Sequence, residues 1–410
     1  MKCVQFLYNL FLYCYYSLAW LGSFFHDKTK KWIAGREQVF LQLEHSNISG
    51  CIWFHASSLG EFEQVSYLIE RIKSEHPQQK ILVTFFSPSG YEAKKNFPHA
   101  DLVLYLPFDF KDHGQRFVEC IQPRLVFWVR YEFWLHMLET IHEKNIPIYL
   151  LNGVFYSKVH PFYRPILKKC LSCFTKIFVI SEQSRVHLSR LGFPSEICYD
   201  TRYDRMLATV NQPWNDDVIQ RFIKDRYVVV CGSTWEKDEQ IIQKAVEHHQ
   251  EISWIIVPHE VHASRIDSLK SRFPQACVYS QYSEEHTASV LIVDKIGFLS
   301  KLYRYAQIVY VGGGFDKVVH SLIEPLAYAQ PILIGKNIEK SEEAREFVRE
   351  KIVTQIQSDA EFLAEINVLS TEQNASERGK KQLFFQSRQG SINKIISIIK
   401  ENIEICPTNI

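Results

Sequence analysis

The sequence has almost no net charge, because 47 Lys and Arg residues are balanced by 46 Asp and Glu residues in a chain of 410. A formal net charge of +1 creates no overall field that would hold nucleic acid nonspecifically, so nucleic acid is not an expected partner and any anion site must be local. Internal repeats and low-complexity segments are missing too. The composition is that of a folded globular chain, long enough for two cores.

Clustered metal ligands are also missing from the sequence. The ten cysteines are scattered, and the close pair Cys170 and Cys173 has no second pair or His at zinc spacing. The sequence contains no Asp-x-Asp pair of the kind that would hold a catalytic cation. We therefore expect neither a metal nor another cofactor, and the scattered thiols favour a reducing compartment.

The N-terminal segment is apolar and is followed by basic residues. Residues 4–25 carry no charged side chain, and Lys28, Lys30, Lys31 and Arg36 come after them. This length is sufficient to cross a hydrocarbon core, although the many Tyr and Phe side chains prefer the membrane interface. The pattern predicts a membrane anchor and its flank over 1–38. A spanning helix is favoured over a helix lying in the interface, and both over an ordinary buried helix. The basic flank predicts that the rest of the chain is cytoplasmic.

Beyond this segment, short β-rich runs alternate with helical stretches. The strands are expected at 51–56, 80–86, 101–106, 125–128, 146–151, 176–180 and 197–199, and then at 227–232, 253–257, 289–293, 308–311 and 331–334. Such alternation is typical of parallel β-α-β units. It predicts two doubly wound, Rossmann-like domains facing a cleft, over 39–210 and 211–380. The segment 381–410 looks helical without a strand partner, and we expect it to pack back on the first domain.

A first group of functional candidates directly follows the first predicted strand, in His55-Ala-Ser57-Ser58-Leu-Gly60-Glu61. Ligands of open α/β sheets bind beyond the carboxyl ends of the strands. Gly60 would let a substrate approach the backbone. Glu61 would lie at a helix N-terminus, where a carboxylate either takes a proton from an acceptor hydroxyl or only complements the helix dipole.

A glycine triplet, Gly312-Gly313-Gly314, ends a strand of the second half. Its N–H groups would suit a phosphate, and Glu324 at the following helix start could accept hydrogen bonds from ribose hydroxyls. The alternative is a tight strand-to-helix turn. Neither Gly-x-x-x-x-Gly-Lys-Ser/Thr nor Gly-x-Gly-x-x-Gly is present, so P-loop and dinucleotide-binding proteins are disfavoured.

Four shorter motifs also lie at predicted strand ends or near the domain crossover. They are Gly232-Ser-Thr-Trp235, Val257-Pro-His259, Arg130-Tyr-Glu132-Phe-Trp134 and Asp200-Thr-Arg202-Tyr-Asp204. Taken singly, each fits a capped loop with an ordinary ion pair. Their shared position at the carboxyl ends of strands favours a common site.

In chain order these motifs resemble the transferases of 3-deoxy-D-manno-octulosonic acid (Kdo) in lipid A biosynthesis. The resemblance covers nearly the whole chain, and it implies an inverting, metal-independent glycosyltransferase of the GT-B fold. The motifs that carry it are the apolar N-terminal segment, Ser58-Leu-Gly60-Glu61, Tyr105-Leu-Pro-Phe-Asp109, Glu132-Phe-Trp134, Gly232-Ser-Thr234, Val257-Pro-His259, Gly312-Gly-Gly314 and the block from His320 to Glu324-Pro325.

The resemblance also implies roles for individual residues. Glu61 corresponds to the general base, and Arg202 to a cation that stabilises the departing phosphate or the sugar carboxylate. The family's supporting carboxylate would stand at the position of Arg130, so Glu132 is the catalytic candidate that remains in that motif. Glu324 is the expected ribose partner. The residues expected to bind the nucleotide are Pro258, His259, Ile296, Gly297, Phe298, Gly313, Ser321, Leu322, Ile323 and Glu324.

Several positions depart from the family pattern. Many relatives have Glu where Arg130 stands, which leaves Glu132 as the carboxylate of that motif. His259 stands where Arg is usual, Ser321 where Asn is usual, and Arg202 where many relatives have Lys. The departures at Arg130 and His259 concern charged groups, so they bear most directly on how the supporting roles are divided.

The resemblance implies transfer of Kdo from CMP-Kdo to lipid IVA, by an enzyme at the cytoplasmic face of the cell inner membrane. Its expected partners are CMP-Kdo, lipid IVA and membrane lipid, without an obligate protein partner. Two alternatives stay open. One is a GT-B glycosyltransferase or epimerase that uses a UDP-sugar, and the other is a membrane-tethered nucleotide-sugar binding protein without catalysis.

Overall fold

The computed structural model of the protein describes residues 2–130, 132–155, 160, 163–283, 288–371 and 375–403. The chain divides into two compact units, one comprising Met1–Arg202 with Gly390–Ile410 and the other Tyr203–Gln389. We expected these boundaries at 210 and 380. The second unit is thus inserted into the first along the chain.

Each unit contains one parallel sheet with helices between its strands. The strands are β1 (Ile52–Ala56), β2 (Ile81–Phe85), β3 (Leu102–Tyr105), β4 (Leu125–Val129), β5 (Ile148–Gly153), β6 (Lys176–Val179), β7 (Glu196–Ile197), β8 (Val228–Thr234), β9 (Ser253–Pro258), β10 (Cys277–Val278), β11 (Val290–Ile292), β12 (Ile308–Val311), β13 (Ile332–Ile334) and β14 (Thr354–Gln355). The helices are α1 (Lys2–Gly22), α2 (Asp27–Glu37), α3 (Val39–Glu44), α4 (Leu59–Glu63), α5 (Ser66–Glu75), α6 (Pro88–Lys94), α7 (Lys111–Ile121), α8 (Leu135–Glu143), α9 (Arg164–Ser172), α10 (Glu182–Leu191), α11 (Arg202–Asn211), α12 (Asp217–Ile223), α13 (Glu236–His248), α14 (Ala263–Arg272), α15 (Leu299–Leu302), α16 (Ile323–Leu326), α17 (Glu342–Arg349), α18 (Asp359–Thr371), α19 (Ala375–Gln386) and α20 (Ser391–Ile403).

The sheet of the first unit has the strand order β3-β2-β1-β4-β5-β6-β7. Strand β1 pairs with both β2 and β4, so that Phe54 lies between Val83 and Phe127. All residues of β1, β2 and β4 are buried, as expected for strands covered on both faces. The strand order reverses beside β1, and the loop that carries Glu61 leaves the sheet at this switch point.

The sheet of the second unit has the order β10-β11-β9-β8-β12-β13-β14. Strand β8 is central and pairs with β9 and β12 in parallel. The loops that follow β8, β9 and β12 therefore leave the same edge of the sheet, close to its switch point. These loops carry Trp235, His259 and the glycine triplet. Two doubly wound α/β units are thus confirmed, as the alternating sequence pattern predicted.

Two local features differ from the sequence expectation. The continuous helix predicted from Glu61 is interrupted after α4, where Gln64 is buried and its side-chain oxygen accepts a hydrogen bond from Asn152 Nδ2 at 3.2 Å. The short edge strands β10 and β14 were not predicted, because two-residue strands leave no recognisable period in the sequence.

Helix α1 packs one face against the first unit and exposes the other. Tyr8 and Leu12 are buried in the core, and the Tyr8 hydroxyl donates to Asp109 Oδ2 at 2.6 Å. The opposite face exposes large apolar side chains, such as Phe11 at 56% and Leu18 at 69% of their surface. Across the ranges described above, no helix is both long enough and apolar enough to cross a membrane.

Helix α20 belongs to the first unit. Ile392, Ile395 and Ile399 are buried in the core cluster that also contains Phe54 and Phe127. Of the segment 381–410 that was expected to pack on the first unit, residues 381–389 instead belong to the second unit, and residues 404–410 lie outside the described residues.

Candidate active site

The loop after β1 fixes Glu61 through a capping arrangement. Ser58 is the N-cap of α4, and its Oγ accepts from the Glu61 N–H at 3.4 Å. In return, Glu61 Oε2 accepts from the Ser57 N–H at 2.6 Å. This is close to the reciprocal pattern that Ser-x-x-Glu sequences form at helix starts. The Glu61 carboxylate is therefore held at the end of β1, and Oε2 is the oxygen that accepts from the Ser57 N–H.

Burial raises the pKa of the half-buried Glu61, while the hydrogen bond from Ser57 and the charge of Arg130 oppose the increase. A carboxylate with a raised pKa is a stronger base than an exposed one, provided that it is ionised at the working pH. Glu61 thus has the position and the basicity that proton abstraction requires.

Glu132 lies in the same electrostatic environment as Glu61. Burial, followed by the negative charge of Glu61, raises the pKa of Glu132 to about 7, against the opposing effect of Arg36. The Glu132 backbone is held by Trp128, whose Nε1–H donates to its carbonyl at 2.7 Å. Two interacting carboxylates of this kind hold a proton more readily near neutral pH than either would alone.

Arg130 supplies positive charge to this pair. Its φ of 74° is in the left-handed region, which is costly for a residue other than glycine. The Nε–H donates to Gln64 Oε1 at 3.1 Å, and the guanidinium lowers the pKa of Glu61. Where the family resemblance implied a further carboxylate, this chain therefore has a counter-charge to Glu61.

Arg202 begins α11 and is paired with a neighbouring carboxylate. Its Nη2 lies 2.9 Å from Asp200 Oδ2, and its backbone N–H donates to Asp200 Oδ1 at 2.9 Å. The predicted cation is present, but part of its charge is already balanced by Asp200. Among the catalytic candidates of the first unit, Glu61 and Glu132 come together, since the charge of Glu61 contributes to raising the pKa of Glu132.

Beneath Glu61, His55 has a structural role. Thr84 Oγ1 accepts from Trp53 Nε1 at 2.8 Å and lies 2.9 Å from His55 Nδ1. Burial lowers the pKa of His55 to about 3, so this ring is neutral and unsuited to act as a base.

Arg36 was counted in the basic flank that follows the apolar segment, but its side chain is not at the surface. The side chain is buried, with its guanidinium carbon 4.0 Å from the Trp32 ring centroid and 4.6 Å from that of Phe86. Its Nη2 donates to the Phe86 carbonyl at 2.7 Å. The spacing Trp32-x-x-x-Arg36 on a helix was the available signal, since residues four apart share one face. Arg36 thereby places a buried positive charge near Glu132.

The glycine triplet of the second unit makes close contacts and hydrogen bonds within that unit. The Gly312 N–H donates to the Gly232 carbonyl at 2.9 Å, and the Gly313 N–H donates to Asp238 Oδ2 at 2.8 Å. A Cβ on Gly312 would lie 2.4 Å from the Ser233 carbonyl oxygen, and Gly313 has a φ of 92°. Two of the three N–H groups expected to meet a phosphate are therefore bonded within the protein.

His259, Ile296 and Gly297 are exposed at the carboxyl edge of the second sheet, and Phe298 is half-buried. Pro258 is buried at the end of β9, and the exposed His259 follows it. Burial lowers the pKa of His259, and Lys317 lowers it further against the effect of Glu260. After β11, Ile296 is 86% exposed and Gly297 has a φ of 85°. A neutral imidazole thus stands where the family resemblance implied a guanidinium.

The segment before α16 presents backbone and one carboxylate rather than apolar side chains. Leu322 and Ile323 are buried in the core, so their side chains are unavailable to a ligand. The Leu322 N–H donates to Glu343 Oε1. Ser321 and Glu324 are half-buried, and the charge of Glu324 contributes to raising the pKa of the buried Tyr303. Only Ser321 and Glu324 of this segment have side chains suited to polar contacts.

In the part of the chain that the structure describes, no three His, Cys, Asp or Glu side chains are grouped as a metal site.

The chain is similar in sequence to proteins of known family. A family model described as 3-Deoxy-D-manno-octulosonic-acid transferase (kdotransferase) matches residues 32–205. The chain is 25% identical over 383 residues to a 3-deoxy-D-manno-octulosonic acid transferase of Haemophilus influenzae, covering 86% of this chain and 87% of that protein. It is also 28% identical over 404 residues to a bifunctional glycosyltransferase/methyltransferase of Fusobacterium nucleatum, covering 93% of this chain but 62% of that longer protein.

Among solved structures, a putative UDP-N-acetylglucosamine 2-epimerase from Listeria monocytogenes matches with a TM-score of 0.59. It covers 88% of this chain and 98% of its own at 11% identity, which establishes a shared fold and no more. The two parallel-sheet units are thus those of the GT-B fold class. Together with the sequence matches, they confirm the resemblance inferred from the motifs: the chain is similar to Kdo transferases over most of its length, and this similarity indicates a glycosyltransferase.

Proposed function

We propose that the protein transfers Kdo from CMP-Kdo to lipid IVA with inversion, using Glu61 as general base. The observation that carries this proposal is the pair Glu61 and Glu132, two half-buried carboxylates with raised pKa values at the switch point of the first sheet. A carboxylate so placed suits deprotonation of an acceptor hydroxyl.

The proposed reaction is a direct displacement. Glu61 takes the proton of the acceptor hydroxyl, whose oxygen forms a bond to the anomeric carbon of Kdo as the bond to the CMP phosphate breaks. The bonding electrons leave on the phosphate. Glu132 increases the basicity of the pair, and Arg202 offsets the developing charge. No metal or other cofactor is required in this scheme.

The second unit would bind the donor. Ser321 and Glu324 offer polar side chains for the ribose and phosphate, and the exposed His259 and the loop 296–298 offer surfaces for the rest of the nucleotide. Leu322, Ile323 and Pro258 would contribute through their backbone, because their side chains are buried. Gly313 would shape the loop, since its N–H is bonded to Asp238.

The Glu61→Gln variant tests the base, with Glu63→Gln as matched control. Glu63 lies on the same short helix and pairs with Lys94 at 2.8 Å. We expect Glu61→Gln to reduce transfer by about 10²–10⁴-fold while CMP binding persists, and Glu63→Gln to retain activity. Mass spectrometry of the lipid product measures transfer and counts the sugars added. Undiminished turnover of Glu61→Gln would exclude Glu61 as the base.

The same assay separates the proposed donor from a UDP-sugar. Inhibition by CMP and not by UDP is expected, together with a product heavier than lipid IVA by Kdo. Inhibition by UDP alone would favour the UDP-sugar enzyme. CMP binding without any product would favour the non-catalytic binding protein.

We also propose that α1 attaches the protein to the cytoplasmic face of the inner membrane by lying in the interface. The uncharged exposed face of α1, with Phe11 and Leu18, suits insertion among lipid headgroups, and Lys28 and Lys31 follow it on the exposed surface of α2. We expect Phe11→Ser with Leu18→Ser to weaken binding to phosphatidylethanolamine–phosphatidylglycerol vesicles by about tenfold or more. Leu383→Ser, which alters a side chain 68% exposed on α19, is the control. Equal binding by both variants would contradict the proposal.

A further inference from the structure

Three aromatic side chains form a layered cluster at the carboxyl edge of the second sheet. Trp235 follows β8, His259 follows β9, and His320 lies in the loop after β12. The rings of Trp235 and His320 have an interplanar angle of 12° and centroids 6.4 Å apart. The two ring planes are thus nearly parallel.

A hydrogen bond joins the two rings. Trp235 Nε1–H donates to His320 Nε2 at 2.9 Å, so the lone pair on Nε2 must be available. His320 is therefore neutral, with its proton on Nδ1. Burial, assisted by His259, lowers the pKa of His320 to about 4, so this bond persists at neutral pH. The two rings together make one flat platform.

His259 lies across the platform. Its ring centroid is 4.3 Å from that of His320 and 4.8 Å from that of Trp235, at interplanar angles of 20° and 27°. The His259 N–H donates to the Thr234 carbonyl at 3.1 Å, which fixes the backbone beneath the ring. Since His259 is exposed while Trp235 and His320 are half-buried, the face of the imidazole away from the platform is directed to solvent.

The platform is fixed to the loops around it. The Trp235 N–H donates to Asp238 Oδ2 at 2.9 Å, and this oxygen also accepts from the Gly313 N–H at 2.8 Å. Lys317 Nζ lies 4.7 Å from the Trp235 ring centroid. The loops after β8 and β12 are thus joined at one buried carboxylate, which limits movement of the rings.

We propose that His259 is the stacking surface for the pyrimidine base of the donor, and that Trp235 and His320 are positioning residues that hold its ring flat. The inference rests on the proposed function, in which a cytidine nucleotide binds this unit. An aromatic face stacks on any base without hydrogen-bond readout. An Arg at this position would contact the donor through its charge, whereas the imidazole of His259 contacts it through the face of its ring.

The experiment compares CMP with ribose 5-phosphate, which has the same phosphate and sugar but no base. Dissociation constants are measured by calorimetry on the full chain. We expect His259→Ala to weaken CMP binding by about tenfold and to leave ribose 5-phosphate binding unchanged. His259→Phe, which keeps a ring, should restore most of the CMP affinity. Trp235→Leu should behave like His259→Ala, although it alters no atom of the stacking surface.

The base-dependent difference separates stacking from a general structural defect, because a distorted unit would lose both ligands together. Equal losses for CMP and ribose 5-phosphate would overturn this inference and leave the proposed function standing. Unchanged CMP affinity in His259→Ala would also overturn it. Failure of the unaltered chain to bind CMP would instead overturn the proposed function, and this inference with it.

Discussion

Asp109 in the first unit and Asp238 in the second are buried carboxylates with nearly the same partners. Asp109 accepts from the Tyr8 hydroxyl at 2.6 Å and from the N–H groups of His136 and Met137 at the start of α8, at 3.0 Å and 2.7 Å. Asp238 accepts from the Tyr310 hydroxyl at 2.6 Å and from the N–H groups of Trp235 and Gly313 at 2.9 Å and 2.8 Å. Each joins a helix start to a distant segment.

The difference lies in what each carboxylate secures. Asp109 secures α1, the helix with the exposed apolar face, whereas Asp238 secures the glycine loop beside the proposed donor site. Both are fully committed to partners inside the protein. Glu61 also accepts hydrogen bonds, from Ser57 and Ser58, but it is half-buried where Asp109 and Asp238 are buried. Exposure therefore distinguishes these structural carboxylates from the one available to substrate.

The largest expected effect comes from removing the two aspartates. Asp109→Ala and Asp238→Ala each leave a tyrosine hydroxyl and two N–H groups without their buried acceptor, which should reduce the free energy of unfolding by about 3 kcal/mol or more. Calorimetric unfolding measures this loss. Only Asp238→Ala should also impair CMP binding. Impaired CMP binding in Asp109→Ala would contradict the difference in role between the two aspartates.

A smaller effect is expected from the tyrosines. Tyr8→Phe and Tyr310→Phe each remove one hydrogen bond to a carboxylate, at a cost of about 1.5–3 kcal/mol. Amide hydrogen exchange locates the loss, because it should accelerate in α1 for Tyr8→Phe and around 312–314 for Tyr310→Phe. Faster exchange throughout both units in either variant would show that the hydrogen bonds to Asp109 and Asp238 do not act locally.

The smallest effect concerns the pH dependence of the base. The charge of Arg130 lowers the pKa of Glu61, so Arg130→Gln should raise it and reduce the ionised fraction at a given pH. We expect the acidic limb of the pH–activity profile to move to higher pH, so that activity recovers as the pH rises, and Arg130→Lys is the charge-preserving control. A loss independent of pH would instead assign Arg130 a role in binding.

The position of Glu61 could be predicted from the sequence because it depends on local signals. A buried strand, small residues and a Ser-x-x-Glu helix start follow one another over 52–61. The parallel sheets were predictable for the same reason, since each β-α unit is a continuous stretch of chain. The family motifs then assigned chemistry to these local elements.

The contacts that were missed join residues far apart in the chain. The Gly313 N–H meets a carboxylate 75 positions away, Trp235 meets His320 across 85 positions, and Tyr8 meets Asp109 across 101. No periodicity in a single sequence reports such pairs. The burial of Arg36 was missed because a cation after an apolar run is usually solvated, and the surrounding rings come from several elements.

The placement of α20 affects the order in which a nascent chain can fold. This helix is synthesised after the whole of Tyr203–Gln389, yet Ile392, Ile395 and Ile399 fill the core of the first unit. On the ribosome, the second unit can therefore be completed while the first still lacks part of its interior, although domains generally fold in order from the N-terminus. During that interval the surface that α20 covers stays exposed, and chaperones that recognise apolar surface would bind it.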